Sequence, residues 1–316
     1  MKLFLQKIKC ATISSSFVIH LFDKVHSMKG RKRIMYAFFW VGVCRLIVDL
    51  FVRKKRVSQA QGLAIVTIIK DEAPYIEEWL KYHQAIGVKK FYIYDNDSSD
   101  DTHELLLPYI NAKIVEYSVI HGPYRQMDAY NLALRKYGKR HKYLAFIDID
   151  EFFVSNSPFC TFVDEFFSKI QNAGGLAVNW ALFGSSGYRS KPKGKVTENY
   201  LYRGEKDFDK NRHIKTVCIP QRVWGFLNPH FAIYKKKFAA YTVSGEKVEG
   251  PFTENVDWSG LRLNHYCTKS YEEFCAKRNK GRADSDADRA DNDFAEHDVN
   301  DVLDDEMLRF WASLQE

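Results

Sequence analysis

The chain has 316 residues, of which 46% are hydrophobic and 15% aromatic, enough to bury a sizeable core and to exclude a disordered chain. Its formal net charge of +7 is unevenly placed: residues 1–60 carry 13 Lys or Arg against Asp23 and Asp49, leaving −4 for the remainder. A mildly acidic body with no basic stripe between aromatics excludes a nucleic-acid-binding enzyme.

Residues 1–60 read as a basic, partly helical extension that attaches the chain to something else. Ile34–Cys44 is uninterrupted apolar sequence, preceded by Lys29, Arg31, Lys32 and Arg33 and followed by Arg53–Arg56. The run is short for a membrane span, and its flanks give no orientation. A helix lying on an anionic membrane surface through residues 29–56 is expected, since apolar insertion and Lys/Arg attraction add there. A poorly packed extension is the alternative. Residues 1–30 lack a clean apolar stretch with a cleavage site, so no removed leader is expected. Cys10, Cys44, Cys160, Cys218, Cys267 and Cys275 show no CxxC or metal-finger spacing. Reduced thiols suit a cytoplasmic protein held peripherally at the membrane.

From residue 62, strand-like and helix-like segments alternate, as in an α/β sheet with parallel strands. "LAIVTIIK" (63–70) is a continuous β-branched run, as in a strand covered on both faces. Pro74 suits the first turn of a helix whose Ile76, Trp79, Leu80 and His83 share one face, with Gly87 as its stop. Strands are expected at 89–97, 112–118, 142–150 and 176–184, and helices at 125–137 and 160–171. Beyond Gly184 the periodicity loosens. The spacing predicts a nucleotide-binding half over 61–184 and an acceptor-binding half with an acidic tail over 185–316. Near the tail, "DSDADRADNDFAE" opens like a calcium loop at Asp284, Asp286 and Asp288, but Arg289 and Ala295 occupy the positions that set its geometry.

The chemistry gathers where strands end. "YLAFIDIDEFF" closes an apolar strand with Asp148, Asp150 and Glu151. Alternation along an unbroken strand puts the two aspartates on one face, where they can hold Mg²⁺ or Mn²⁺ against a substrate diphosphate. "YDNDSSDDT" ends the preceding strand: Asp95 or Asp97 can accept from a base or ribose hydroxyl, or Ser98 and Ser99 can cap a helix start. Asp71 and Glu72 end the first strand. Three acidic strand ends repel an unaided diphosphate, and a divalent cation would invert the sign.

"IVTIIKDEAPYIEEWLKYHQAIGVKKFYIYDNDSSDDT", "YLAFIDIDEFF", "NWALFGSSG" and "LRLNHYCTKSYEEF" together resemble glycosyltransferase family 92 and its bacterial relatives near family 2, over about residues 62–282. The resemblance implies a GT-A fold, meaning a Rossmann-like, mixed and mostly parallel sheet flanked by helices. It further implies a nucleotide-sugar donor, typically a UDP-sugar with galactose common, Mn²⁺ or Mg²⁺, and inversion at the anomeric carbon. By position Asp148 and Asp150 match the metal motif, and His265 the late histidine that returns to the metal. Asp71, Glu72, Asp95 and Asp97 match donor-nucleotide segments, and Gln126 and Asn131 fall where such enzymes approach the nucleotide.

Trp180 and Phe183 can stack on sugar faces or fill the core. Lys277, Arg278 or Arg282 can reach the diphosphate or end a solvated helix, and His230 is a further ligand candidate. Inversion requires a carboxylate to take the acceptor's proton. Glu151, Glu254, Asp257 and Asp284 are open to this, with Glu254 and Asp257 favoured by their place before His265. The acceptor expected is a glycan or glycolipid in surface polysaccharide synthesis. A nucleotidyltransferase would want a Gly- and Lys/Arg-rich triphosphate loop, which "IIKDEAP" lacks, and a non-catalytic carbohydrate-binding scaffold would show an eroded metal motif.

Overall fold

In a computed structural model the described residues are 2–13, 15–22, 25, 27–51, 61–280 and 293–314. Four helices lead: α1 Lys2–Ile13, α2 Ser16–Phe22, α3 Met28–Ala37 and α4 Phe39–Phe51. Ser27 caps α3, its Oγ accepting from Gly30 N. At Gly42 of α4 an added Cβ would collide with Ile8 O and Thr12 Oγ1 of α1, so the absent side chain lets the two helices cross closely. Ile13, Val18 and Phe22 form a small core with Ile34, Met35, Phe38 and Leu227. The N-terminal extension is therefore a packed helical unit, unlike the poorly packed extension named as the alternative. Arg31, expected among the membrane-facing cations, is instead buried against the body. No helix among the described residues is long and apolar enough to cross a membrane.

The body alternates as expected: β1 Gln61–Ile69, α5 Ile76–Ala85, β2 Phe91–Asp95, α6 Thr102–Asn111, β3 Val115–Val119, α7 Gln126–Tyr137 and β4 His141–Phe146. Gly87 stops α5 with φ +100°, a conformation that favours glycine. Then come β5 Glu151–Ser155, α8 Phe159–Lys169, β6 Ala173–Leu182, α9 Val196–Asn199, β7 Tyr202–Arg203 and β8 Ile214–Cys218. The loosely periodic remainder holds β9 Val223–Phe226, β10 Ala232–Tyr234, β11 Ala239–Tyr241, β12 Lys247–Val248, β13 Leu261–His265, α10 Tyr271–Asn279, α11 Asp293–His297, β14 Val302–Leu303 and α12 Glu306–Ser313.

One mixed sheet runs β12-β11-β6-β8-β4-β1-β2-β3, with β13 added beside β6 and β5 beside β13. The strands β4-β1-β2-β3 are parallel to one another, and β8 runs against both β4 and β6. Leu63–Ile69 of β1 and all of β6 are buried, as a sheet covered on both faces requires. One face packs Trp79, Phe91 and Phe153, and the other Tyr92, Tyr130, Phe146 and Phe226. Burying a side chain such as Phe91 completely stabilises the fold by about 2–3 kcal/mol. This is the α/β class the sequence predicts. Strands from both expected halves share the one sheet.

A difference from expectation matters for the site. The fourth strand stops at Phe146, and residues 148–150 form a turn rather than its last pleats. The two aspartates are thus not paired by strand alternation. Glu151 N donates to Asp148 O (3.2 Å), and the chain re-enters the sheet as β5.

Candidate active site

Asp148 and Asp150 have separate surroundings. Asp148 Oδ1 accepts from Gln126 Nε2 at the start of α7 (2.8 Å), and Oδ2 from Lys215 Nζ of β8 (2.6 Å). Lys215 is fully buried and also lies 3.4 Å from Glu151 Oε2, which accepts from Asp148 N (2.8 Å). Burial alone would lower the Lys215 pKa, but Asp148 and Glu151 hold it well above the usual range. Burial, with Asp148 and Asp150 adding, pushes Glu151 upward against the pull of Lys215.

Asp150 is also buried. Its Oδ2 pairs with Lys277 of α10, and its Oδ1 lies 3.6 Å from His265 Nε2. Burial would raise its carboxyl pKa, but Lys277 and then His265 outweigh this and hold it well below the ordinary range. His265 is lowered to about 4, by burial first.

The neighbouring strand ends repeat the pattern. Burial raises the Glu72 pKa, with Lys280 (3.6 Å) and then Lys269 opposing. Lys269 is buried with its ammonium 4.5 Å from the Tyr75 ring centre. Four lysines, Lys215, Lys269, Lys277 and Lys280, thus surround the acidic edge. This corrects the expectation that only a metal could invert its sign, because the chain supplies cations of its own.

Asp71, at φ 52°, accepts at Oδ1 from Ser99 N (2.6 Å), while its own N donates to Ser98 Oγ (2.9 Å). Ser98 and Ser99 thus tie the first two strand ends together instead of capping α6, whose N-cap is Asp101. Asp95 is buried, accepting from Ser98 N (2.7 Å) and Tyr117 Oη (2.8 Å). Asp97, at φ 61°, accepts from Gly122 N (2.9 Å) and pairs with His121 (2.6 Å). Gln126 lies at the aspartate turn, and Asp97, in the loop after β2, bonds to His121 and Gly122 of the loop that leads to it.

Several expected residues have other work. Asn131 is buried: its Nδ2 donates to Met127 O (2.7 Å) and Phe226 O (2.9 Å), and its Oδ1 accepts from Phe226 N (2.9 Å), so it clamps α7 to β9 rather than facing a nucleotide. Phe183 is fully buried against Tyr266 and cannot stack on a sugar. Trp180 is 8% exposed, stacked on His213 (4.7 Å, 13°) with His265 (4.2 Å) and His230 (5.2 Å) around it, so its faces are taken. His230 Nδ1 donates to Ile214 O (3.1 Å), and burial first, then Lys215, lower its pKa well below the usual value. Asp257 accepts from Ser244 N (2.6 Å) and Ser259 N (3.0 Å), holding a turn, and these bonds lower its pKa against burial. Glu254 is exposed. Arg282 and Asp284 lie outside the described residues.

Asp148, Asp150 and His265 have the donor chemistry of a Mn²⁺ or Mg²⁺ site, but as arranged they do not fit one. Each carboxylate carries a lysine that an ion would have to displace. No group of three His, Cys, Asp or Glu placed to hold a metal exists among the described residues. Sequence reasoning missed Lys215, Lys269 and Lys280. A lysine inside the apolar strand of "HIKTVCIP" was the available signal, since a buried ammonium demands a partner.

Residues 66–281 match glycosyltransferase family 92, and the chain belongs to that family. A family 92 protein of Ricinus communis is 31% identical over 154 residues, 47% of this chain and 27% of that one. One of Oryza sativa subsp. japonica is 27% identical over 222 residues, 68% of this chain and 35% of that one. The chain thus spans between about a quarter and a third of the length of these relatives. Among solved structures, S. aureus TarS 1–349 in complex with UDP-GlcNAc shows a TM-score of 0.36 at 12% identity, over 51% of this chain and 46% of that one. The mannosyltransferase PcManGT from Pyrobaculum calidifontis in complex with GDP-Man and Mn²⁺ shows 0.30 at 15% identity, over 43% and 42%. Likenesses that weak carry no function with them.

Proposed function

We propose that the protein is an inverting glycosyltransferase that moves a hexose, with galactose foremost, from a UDP-sugar to a glycan or glycolipid acceptor. The observation that carries this is the lysine-collared acidic edge, formed where β1, β2 and β4 end, inside the region that matches the family. Carboxyl ends of parallel strands are where α/β sheets take ligands. Lys277 and Lys280, about a quarter exposed, are the cations within reach of an entering diphosphate, and Asp97 is open to a ribose hydroxyl. As the bond to the leaving group breaks, negative charge grows on the diphosphate, and fixed cations there lower the barrier. Of the two favoured carboxylates, Asp257 is engaged by amides, so Glu254 is assigned the acceptor's proton.

The test is to incubate purified protein with UDP-, GDP- and CDP-sugars under Mn²⁺, Mg²⁺ or EDTA and to follow nucleoside diphosphate release. Turnover confined to a UDP-hexose is the expected result, and the three conditions establish whether a divalent ion is required. Absence of release from every donor would favour a carbohydrate-binding scaffold.

We further propose that the helical unit rests on the cytoplasmic side of an anionic membrane surface. Phe17 of α2, Tyr36 of α3 and Trp40 of α4 are 55–60% exposed, and Lys29, Lys32 and Arg33 of α3 are exposed as well. Interfacial aromatics with basic neighbours are the composition of a surface-lying element. Co-sedimentation with vesicles containing phosphatidylserine, and not with neutral ones, is the expected outcome.

A further inference from the structure

Arg31 belongs to the N-terminal helical unit, 35 residues ahead of the region that matches the family. Its side chain is only 9% exposed. One guanidinium nitrogen donates to Pro123 O (3.1 Å), another pairs with Asp128 on the first turn of α7, and the planar group covers the Phe22 ring (4.5 Å). Asp128 is 1% exposed and is shared with Arg125 (3.0 Å), itself buried. Arg31 therefore grips the loop at Pro123 and the first turn of α7 at Asp128, before and after residues 124–126.

That loop is the piece of backbone joining two parts of the candidate site. At its start Gly122 N donates to Asp97 Oδ2 (2.9 Å), while Asn96 Nδ2 donates to Gly122 O (2.8 Å). At its end Gln126 Nε2 donates to Asp148 Oδ1 (2.8 Å). Between them Tyr124 has φ 60°, a left-handed conformation that a tyrosine keeps only when its surroundings hold it. The surroundings on the outer side include an arginine of the N-terminal unit. A guanidinium with a planar fork can fix a carboxylate and a carbonyl at once, which a lysine does poorly.

We propose that Arg31 is a positioning residue for the donor site, acting through the 122–125 loop and the first turn of α7 on Asp97 and Gln126, so that the N-terminal helices are a structural part of that site as well as an attachment. The proposal rests on the glycosyltransferase reading above. Its ligand is the nucleoside diphosphate part of the donor.

The experiment uses the full chain and UDP as the probe. Arg31→Met and Arg31→Lys are compared with wild type for UDP affinity by calorimetry, donor KM and kcat, partition onto phosphatidylserine vesicles, and melting temperature. Arg31→Met is expected to weaken UDP binding and raise donor KM about tenfold, equivalent to about 1.4 kcal/mol, at a temperature where it stays folded. Arg31→Lys should fall between, and vesicle partition should be unchanged. A residue that only stabilised the fold would lower the melting temperature without moving UDP affinity. If Arg31→Met does not fold, Arg31→Gln, which keeps a polar group and leaves Asp128 paired with Arg125, takes its place and should show the same loss of affinity. Folded variants that bind UDP as wild type does overturn this proposal alone. Wild-type protein that binds no nucleotide overturns the glycosyltransferase reading and this one with it.

Discussion

Lys215 Nζ lies 2.6 Å from Asp148 Oδ2 and 3.4 Å from Glu151 Oε2, with no part of its side chain reaching solvent. Removing the ammonium leaves the buried Glu151 and the half-buried Asp148 without their counter-charge. Lys215→Met should destabilise the fold by about 3–5 kcal/mol, the cost of breaking a buried ion pair from one side. Lys215→Met/Glu151→Gln should recover a large part of that loss, which a urea-unfolding double-mutant cycle measures. Equal losses in both variants would refute the charge-balancing role.

Asn131 invites a different outcome from the one its position suggested. Its amide joins α7 to β9 through Met127 and Phe226. Asn131→Ala leaves buried backbone groups unpaired, at about 1–3 kcal/mol for each such group. Thermal melts should show that loss while UDP affinity in the folded variant stays near wild type. A selective loss of UDP affinity would return Asn131 to the nucleotide.

The fold was legible because alternation of apolar strands and amphipathic helices is local, and Leu63–Ile69 or the Ile76-Trp79-Leu80-His83 face need only near neighbours to be recognised. The aspartate turn was not, since "AFIDIDEFF" reads as one strand whether or not the sheet continues beyond Phe146. The site was legible as acidic but not as balanced. Lys215, Lys269, Lys277 and Lys280 come from β8 and the β13–α10 region, and only the tertiary fold brings them to Asp148, Asp150 and Glu72. Trp180 and Phe183 carry the same letters whether they line a cleft or a core.

His83 gives the protein an acid-sensitive element away from the site. It is fully buried, donates from Nδ1 to Trp79 O (2.9 Å), and burial lowers its pKa to about 3. In the unfolded chain the imidazole titrates at about 6.5. Below that pH the unfolded state takes up a proton that the folded state refuses, so stability falls with falling pH until the folded group titrates too. The His83 contribution should drop by about 1.4 kcal/mol per pH unit well inside that window. Urea midpoints against pH should show a shallower acid slope in His83→Asn than in wild type, and identical slopes would remove His83 as the cause.

Trp40 and Tyr36 are each 60% exposed on the helical unit. Trp40→Ser with Tyr36→Ser should reduce partition onto phosphatidylserine vesicles by about tenfold, since buried apolar area contributes to interfacial binding together with basic charge. Activity on a soluble acceptor should be retained. Unchanged sedimentation would place the contact surface elsewhere.

The long strand β6 has three partners: β11 beside its first residues, β13 beside its last, and β8 along the opposite edge. The stretches before and after residue 184 are consequently interwoven, and no seam there is free of hydrogen bonds. Chimaeras that graft the later stretch of another family member onto this chain at that point would have to re-form five strand pairings at once, those of β6 with β8, β11 and β13, of β4 with β8, and of β5 with β13. Exchange of specificity is better sought in surface loops than in whole halves.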